Sequence, residues 1–457
     1  MNDNHGHMRE GFTTTLGVLA ATLGSAVGLG NIWKFPSMTG QNGGAAFVFV
    51  YLICVLLIGL PVMISEFIIG RRAQANNVGA FRKLETAGRA PWHLTGVAGV
   101  TAAFLIMFFY TDVAGWVYAY AFKALTGTFA GVTAAETADI FSAYIGSAAG
   151  PLAWQWIVLV TVSAIIIAGV TRGIERMTKT LLPILFVLLL ICNIRALTLP
   201  GASVGVEYLF RPDFTKVTAP VVLAALGLAF FKLSVGMGTM TTYGSYIGKQ
   251  ENLPGNALKV AFADTLVSLL AGLAIFPAVF AFGFEPDAGP SLLFITIPAV
   301  FQTMPLGQLF LTMFFVLAAI AATGAMISLL EVPVAYLTEE HGWSRVKATL
   351  LSAAAMGTVG ALATLSTSVL SETLVFGRTF FDLFDFLSSN IVLPVGGILI
   401  CLFVGWKLGP KAIADEASNG GSIRNAAVLR VFTFVVRYVA PVAILLVLLN
   451  GLGVIKA

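Results

Sequence analysis

The sequence predicts an all-α integral membrane protein with about eleven transmembrane helices. Three observations predict it. Of the 457 residues, 58% are hydrophobic and 11% charged, about half the charged share of an ordinary soluble domain. Apolar runs of about 20 residues, the length that crosses a hydrocarbon core, recur from end to end. Two of those runs carry closely spaced glycines near their middle, where a continuous helix should be strongest.

The runs lie at roughly 12–37, 43–70, 92–124, 153–171, 177–199, 219–247, 255–284, 306–338, 345–367, 379–407 and 427–455. The first is too long for a signal peptide and has no small-residue cleavage site after a short apolar core. Lysine and arginine set the orientation. Segments after the even-numbered runs hold Arg71, Arg72, Arg82, Lys83, Arg89, Arg172, Arg176, Lys249, Arg345, Lys347, Lys407, Lys411 and Arg424, with His341. The opposite segments are poorer in base and hold Glu136, Asp139, Glu207, Asp213, Glu285 and Asp287. The positive-inside rule then puts the N-terminus in the cytoplasm of a multi-pass protein of the cell (inner) membrane, and an odd number of spans puts the C-terminus outside. Residues 292–301 are apolar but too short to span, and read as a re-entrant or capping loop. Cys54, Cys192 and Cys401 stand far apart in apolar runs, without disulfide or metal spacing. His5 and His7 read as part of a solvated tail. No cofactor, metal cluster or nucleic acid is expected.

The interruptions are GSAVGLGN (24–31) in the first run and SVGMG (234–238) in the sixth. Each opens a block of five spans. Together they predict an inverted repeat whose unwound helices meet at a midplane site. The divisions are a cytoplasmic segment 1–11, a first five-helix repeat 12–199, a second 219–407, and an eleventh helix with the C-terminus, 427–457. Near the middle of the sixth run stands Lys232. It is about 12 residues, roughly 18 Å, from either end of the run, beyond a lysine's reach to the interface. An intramembrane charge is by default a functional group.

GSAVGLGNIWKFP (24–36) with NGGAAF (42–47) closely resembles the opening signature of the neurotransmitter:sodium symporter family. GLPVMISEFIIGR (59–71), FYTDVAGW (109–116), FFKLSVGMG (230–238), DTLVSLLAGLAIFP (264–277), SLLEVPVAYLTEE (328–340) and FDLFDF (381–386) follow in the family's order and cover nearly the whole chain. The resemblance is to the bacterial, eleven-span, amino-acid branch. It implies sodium-coupled alternating access on a fold of two five-helix inverted repeats.

By resemblance, the backbone around Ser25, Ala26, Leu29 and Gly30 would meet a substrate carboxylate, helped by the Tyr110 hydroxyl. Unpaired N–H groups and a phenol suit that task. Amine carriers of the family have an aspartate where Gly28 stands, so glycine leaves room for a carboxylate and favours amino acids. Ile106, Phe231, Lys232, Ser234, Met237, Ala325 and Leu329 would complete a mainly apolar pocket, suited to a neutral, hydrophobic amino acid. Lys34 and Asp385 match the outer charged pair, with lysine in place of the bidentate arginine, and Phe231 matches the aromatic lid. Arg9 and Glu339 match the inner pair, with Tyr246 near them.

The departures concern the cations. The first sodium site of the family corresponds to Ala26, Asn31, Lys232 and Asp264, where Lys232 replaces an oxygen-bearing threonine or serine. The second corresponds to Gly24, Val27 and Ala321 carbonyls, with two hydroxyl positions that read Gly324 and Ala325. Thr323 is one residue away, about 100° round the helix. A glutamine usual in the family reads Leu228. The ammonium of Lys232 therefore reads as a replacement for the first sodium ion, paired with Asp264 and within reach of the substrate carboxylate. The role of sodium stays open. Asp112, where the family usually has a neutral residue, points about 200° away from Tyr110; it is, like Lys232, a candidate proton site, and equally a structural group paired with another buried donor. Glu66 reads as a hydrogen-bonded structural group.

The leading reading is a transporter of neutral amino acids with weakened or absent sodium dependence. The alternatives are an ordinary sodium symporter, a proton-coupled symporter or exchanger, and a non-transporting amino-acid sensor. A membrane enzyme finds no support, because no metal-ligand cluster, nucleophile elbow or phosphate loop is present in the sequence.

Overall fold

The computed structural model describes residues 10–85, 90–286 and 292–455. Arg9, Arg89, Asp287 and the two tail histidines named above lie outside them. The elements are α1 (Thr15–Ala26), α2 (Gly30–Gln41), α3 (Ala45–Ala73), α4 (Asn77–Leu84), α5 (His93–Leu125), α6 (Ala134–Gly146), α7 (Ala149–Ile167), α8 (Val170–Leu197) and α9 (Ala202–Phe210). Then come α10 (Ala219–Lys232), α11 (Thr239–Gly244), α12 (Leu253–Ala281), α13 (Leu292–Gln302), α14 (Gly307–His341), α15 (Arg345–Thr367), α16 (Phe380–Ala417) and α17 (Ala426–Gly451).

Among the described residues, nine helices are long and apolar enough to cross a membrane, and α1 with α2 makes a tenth span bent by 51°. The sixth apolar run divides into α10 and α11. Many large apolar side chains lie exposed on the outer helices, among them Leu56, Val160, Ile194, Phe262 and Val431. Such a belt suits lipid rather than water. The short apolar α13 packs against α14 and α6 with Leu292, Phe294 and Ile297 buried, so it caps the bundle.

Three short helices, α4, α6 and α9, fall between the runs. α4 starts where the Asn76 side chain accepts from the N–H groups of Val78 and Gly79. α6 starts with a reciprocal pair, Thr133 and Glu136, each side chain satisfying the other's backbone N–H. The tenth apolar run continues as α16 to Ala417, ten residues beyond 407, turning at Gly409 with φ +78°.

Both breaks sit where the glycines stand. α1 ends at Ala26, capped by Val27, and α2 begins at Gly30. Between α10 and α11 the backbone takes positive φ at Ser234 (52°), Gly236 (81°) and Gly238 (77°). Serine is costly there, and its hydroxyl is fixed by donation to the Ser25 carbonyl at 2.8 Å. The N–H groups that the break exposes are collected by one side chain. Glu66 on α3 accepts from Gly236 N at 2.6 Å, Thr241 N at 3.1 Å and Thr241 Oγ1 at 3.2 Å. α1 packs between α8, α12 and α14, and α5 packs along α14, so the breaks face each other across the middle of the bundle.

Candidate functional site

A small cavity lies between the two breaks. It is lined by Ser25, Ala26, Gly28, Gly30, Ile106, Tyr110, Phe231, Lys232, Ser234, Met237, Ala325 and Leu329, with a volume of about 30 Å³, room for about one water. Above it is a second cavity of about 260 Å³ that includes Leu29, Trp33, Lys34, Phe109, Phe381 and Asp385. Phe231, Tyr110 and Gly30 line both, so the Phe231 ring stands between them. Leu29 faces the upper cavity, and its N–H donates to the Tyr110 hydroxyl at 2.9 Å.

Gly28 lines the cavity, and a Cβ there would stand 2.9 Å from both the Tyr110 hydroxyl and the Ala325 Cβ, so a side chain at this position would crowd the site.

Lys232 is the last residue of α10, where the helix's free carbonyls favour a cation. Its side chain is fully buried. Nζ donates to Asp264 Oδ2 at 3.1 Å, to the Tyr51 hydroxyl at 2.9 Å, and to Ser268 Oγ. The rings of Phe35 and Tyr51 lie 5.1 and 4.9 Å from the ammonium. An ammonium has three protons, and all three are committed. The direct bridge from Lys232 to a substrate carboxylate is therefore not available in this arrangement. Asn31 completes the cluster. Its Nδ2 donates to Asp264 Oδ1 at 2.6 Å, Asp264 O at 3.0 Å and Ser268 Oγ at 3.0 Å, while its Oδ1 accepts from Gly28 N at 3.1 Å.

At the second cation position, α14 closes on α1. A Cβ on Gly324 would lie 2.7 Å from the Gly24 carbonyl oxygen, and one on Gly28 would lie 3.9 Å from the Ala321 carbonyl oxygen. Thr323 does not turn inward. Its hydroxyl pairs with the Tyr118 hydroxyl at 2.5 Å and donates to Ala319 O at 2.7 Å. Val27 and Ala325 are buried beside this contact.

At the pair expected to form the outer gate, Lys34 Nζ stands 3.7 Å from Asp385 Oδ1 and 4.1 Å above the Phe231 ring. Of the pair expected to form the inner gate, Arg9 is outside the described residues. Glu339 accepts from Asn76 N at 2.7 Å and Asn76 Nδ2 at 3.2 Å. The Tyr246 hydroxyl donates to Glu331 at 2.7 Å, and Arg345 grips the same carboxylate with two nitrogens at 3.1 and 2.5 Å. Tyr246 is thus tied to Glu331 and, through it, to Arg345. Sequence reasoning had passed over Glu331 and Arg345 as a pair, although an acid inside a span is itself a signal. It also missed Ser268 and Tyr51. Ser268 stands one turn after Asp264 on α12, a legible i,i+4 neighbour; Tyr51 has no local signal. Asp112 lies away from this cluster, on another side of α5.

A model of the sodium:neurotransmitter symporter family matches residues 9–139 and 141–457. The uncharacterized sodium-dependent transporter YhdH of Bacillus subtilis is 40% identical over 445 residues, covering 97% of this chain and 98% of its own. An uncharacterized sodium-dependent transporter of Haemophilus influenzae is 34% identical over 454 residues, with the same coverage. Among solved structures, MhsT in complex with L-phenylalanine is 42% identical and superposes with a TM-score of 0.90 over 97% of this chain and 100% of its own.

Proposed function

The chain belongs to the sodium:neurotransmitter symporter family, and on that premise we propose that it takes up neutral, hydrophobic amino acids by alternating access, with the ammonium of Lys232 in the place of the first sodium ion. The observation that carries this is the closed ring of Asp264, Tyr51 and Ser268 around Lys232 Nζ. A sodium ion there needs several oxygen ligands in its shell, as hard cations do. Here a fixed positive charge already neutralises Asp264, and Asn31's side-chain oxygen is spent on the backbone of Gly28.

The substrate reading follows from the cavity. The N-terminus of α2 and the Tyr110 hydroxyl supply donors for a carboxylate, and Ile106, Met237, Ala325 and Leu329 supply an apolar wall. The relative MhsT was crystallised with L-phenylalanine, which agrees with an apolar side chain. The cavity is small, so loading requires Phe231 and the broken segments to move. Residues 12–199 and 219–407 form the two inverted repeats in this reading, the N-terminus is cytoplasmic, and the membrane is the cell (inner) membrane.

Gly324 and Ala325 support the same view of the second cation, because neither offers a hydroxyl where the resemblance expects two. A second reading, sodium-coupled symport, is favoured by the names of the relatives. Uptake by purified protein in liposomes, across a panel of amino acids, separates the two when sodium and proton gradients are imposed singly. The proposal expects uptake or exchange of apolar amino acids that an inward sodium gradient does not accelerate. Strict dependence on sodium supports the second reading, and no uptake of any amino acid removes both.

A further inference from the structure

Asp112 lies on α5 two residues after Tyr110, yet it takes no part in the substrate cavity. It is completely buried, and neither carboxylate oxygen has a hydrogen-bond partner among the described residues. Its polar neighbours come from three helices. Trp116 is one turn along α5, Thr364 approaches from α15, and Tyr144 approaches from α6. The Trp116 Nε1 and Tyr144 hydroxyl groups are also buried without a partner. The Thr364 hydroxyl reaches the Gly360 carbonyl only at 3.4 Å. Gln155 on α7 turns its Nε2 to Thr111 at 3.1 Å. Lys123 lies 4.7 Å above the Tyr144 ring and 5.8 Å from that of Tyr120, and among the described residues it makes no hydrogen bond to Asp112.

We propose that Asp112 is a proton-binding site of this transporter, built outside the substrate cavity where α5 meets α15 and α6. An unpaired carboxylate in the interior carries a desolvation penalty that no cation here offsets. A bound proton removes the charge and adds the donor that the cluster lacks. Asp112 Oδ–H then gives to the Thr364 hydroxyl, and Trp116 Nε1–H gives to the other oxygen. The same neighbours also suit the charged form. The Thr364 hydroxyl reverses from acceptor to donor, while Trp116 donates in both states. Proton binding and release thus strand no polar group. Tyr144, with Lys123 over its ring, marks the side on which α6 covers the site. The site is separate from the Lys232 cluster, so the two proposals fail independently.

Infrared spectroscopy of the purified, full-length protein tests this. The expected result is a carbonyl stretch of a buried protonated carboxylic acid at neutral pH, lost in Asp112→Asn and kept in Lys232→Thr. The band should shift in Thr364→Val, a readout that stands if the asparagine variant does not fold. In liposomes, amino-acid exchange by the wild type should fall as the band is titrated away, and Asp112→Asn should flatten that pH profile. The proposal is overturned if the wild type lacks the band at neutral pH. It is also overturned if the band survives in Asp112→Asn or ignores Thr364→Val, which would assign it to another acid such as Glu66.

Discussion

Lys232 changes the chemistry of the central cluster through a single side chain. Breaking a buried ion pair by removing one partner costs on the order of 3–5 kcal/mol, because the other charge is left in the interior. Lys232 was legible from sequence because a charge in the middle of an apolar run must find a partner, and Asp264 was legible through the resemblance to the family's first cation site. Their exact surroundings were not, since Tyr51 arrives from α3 through packing that no local pattern encodes. Tyr110 carries a prediction of its own. Its hydroxyl already meets the α1–α2 break at Leu29 N, where a carboxylate would bind. Tyr110→Phe should weaken amino-acid binding by about 1.5–3 kcal/mol, the worth of a hydrogen bond to a charged group. Calorimetry across the substrate panel checks it, and unchanged affinity for every substrate takes Tyr110 out of the site.

Two contacts between elements carry comparable weight. Glu66 holds the gap between α10 and α11 by accepting three hydrogen bonds on two oxygens. Glu66→Gln must turn an NH₂ group toward Gly236 or Thr241, setting donor against donor. Thermal unfolding in detergent should show a loss of about 1–3 kcal/mol, the cost of an unmade buried bond; an unchanged midpoint would mean the break holds itself. Gly324 lets α14 close on α1. Gly324→Ser should force the helices apart, with about 1–3 kcal/mol of overpacking, seen as lower thermal stability and slower exchange. Equal stability and rate would show that the contact yields freely. The breaks themselves were readable from glycine spacing. The tight surroundings of Gly324 were not, because a missing hydroxyl does not reveal how closely two helices approach.

Across the whole molecule, the small cavity and the larger one next to it share Phe231, Tyr110 and Gly30, and Lys34 and Asp385 line the larger one. The apolar runs forecast the membrane helices because each must satisfy its own backbone in lipid. α4, α6 and α9 escaped notice because short connecting helices depend on caps and local packing, not on an apolar run. If the outer gate opens and closes during transport, Lys34→Cys and Asp385→Cys should react with an external thiol reagent in the open state. Each should be protected when amino acid is bound, as measured by labelling with and without substrate. Equal labelling in both conditions counts against the gate.

The central claim is that Lys232 supplies the charge a sodium ion would bring, and equilibrium binding of a radiolabelled apolar amino acid tests it most directly. Wild type and Lys232→Thr are compared in sodium, potassium and choline at fixed ionic strength. The account predicts that wild-type binding is the same in all three salts. It also predicts that Lys232→Thr loses binding in potassium and choline, by a hundredfold or more on the order of the 3–5 kcal/mol at stake, and regains part of it in high sodium. Wild-type binding that requires sodium and is indifferent to Lys232→Thr contradicts it.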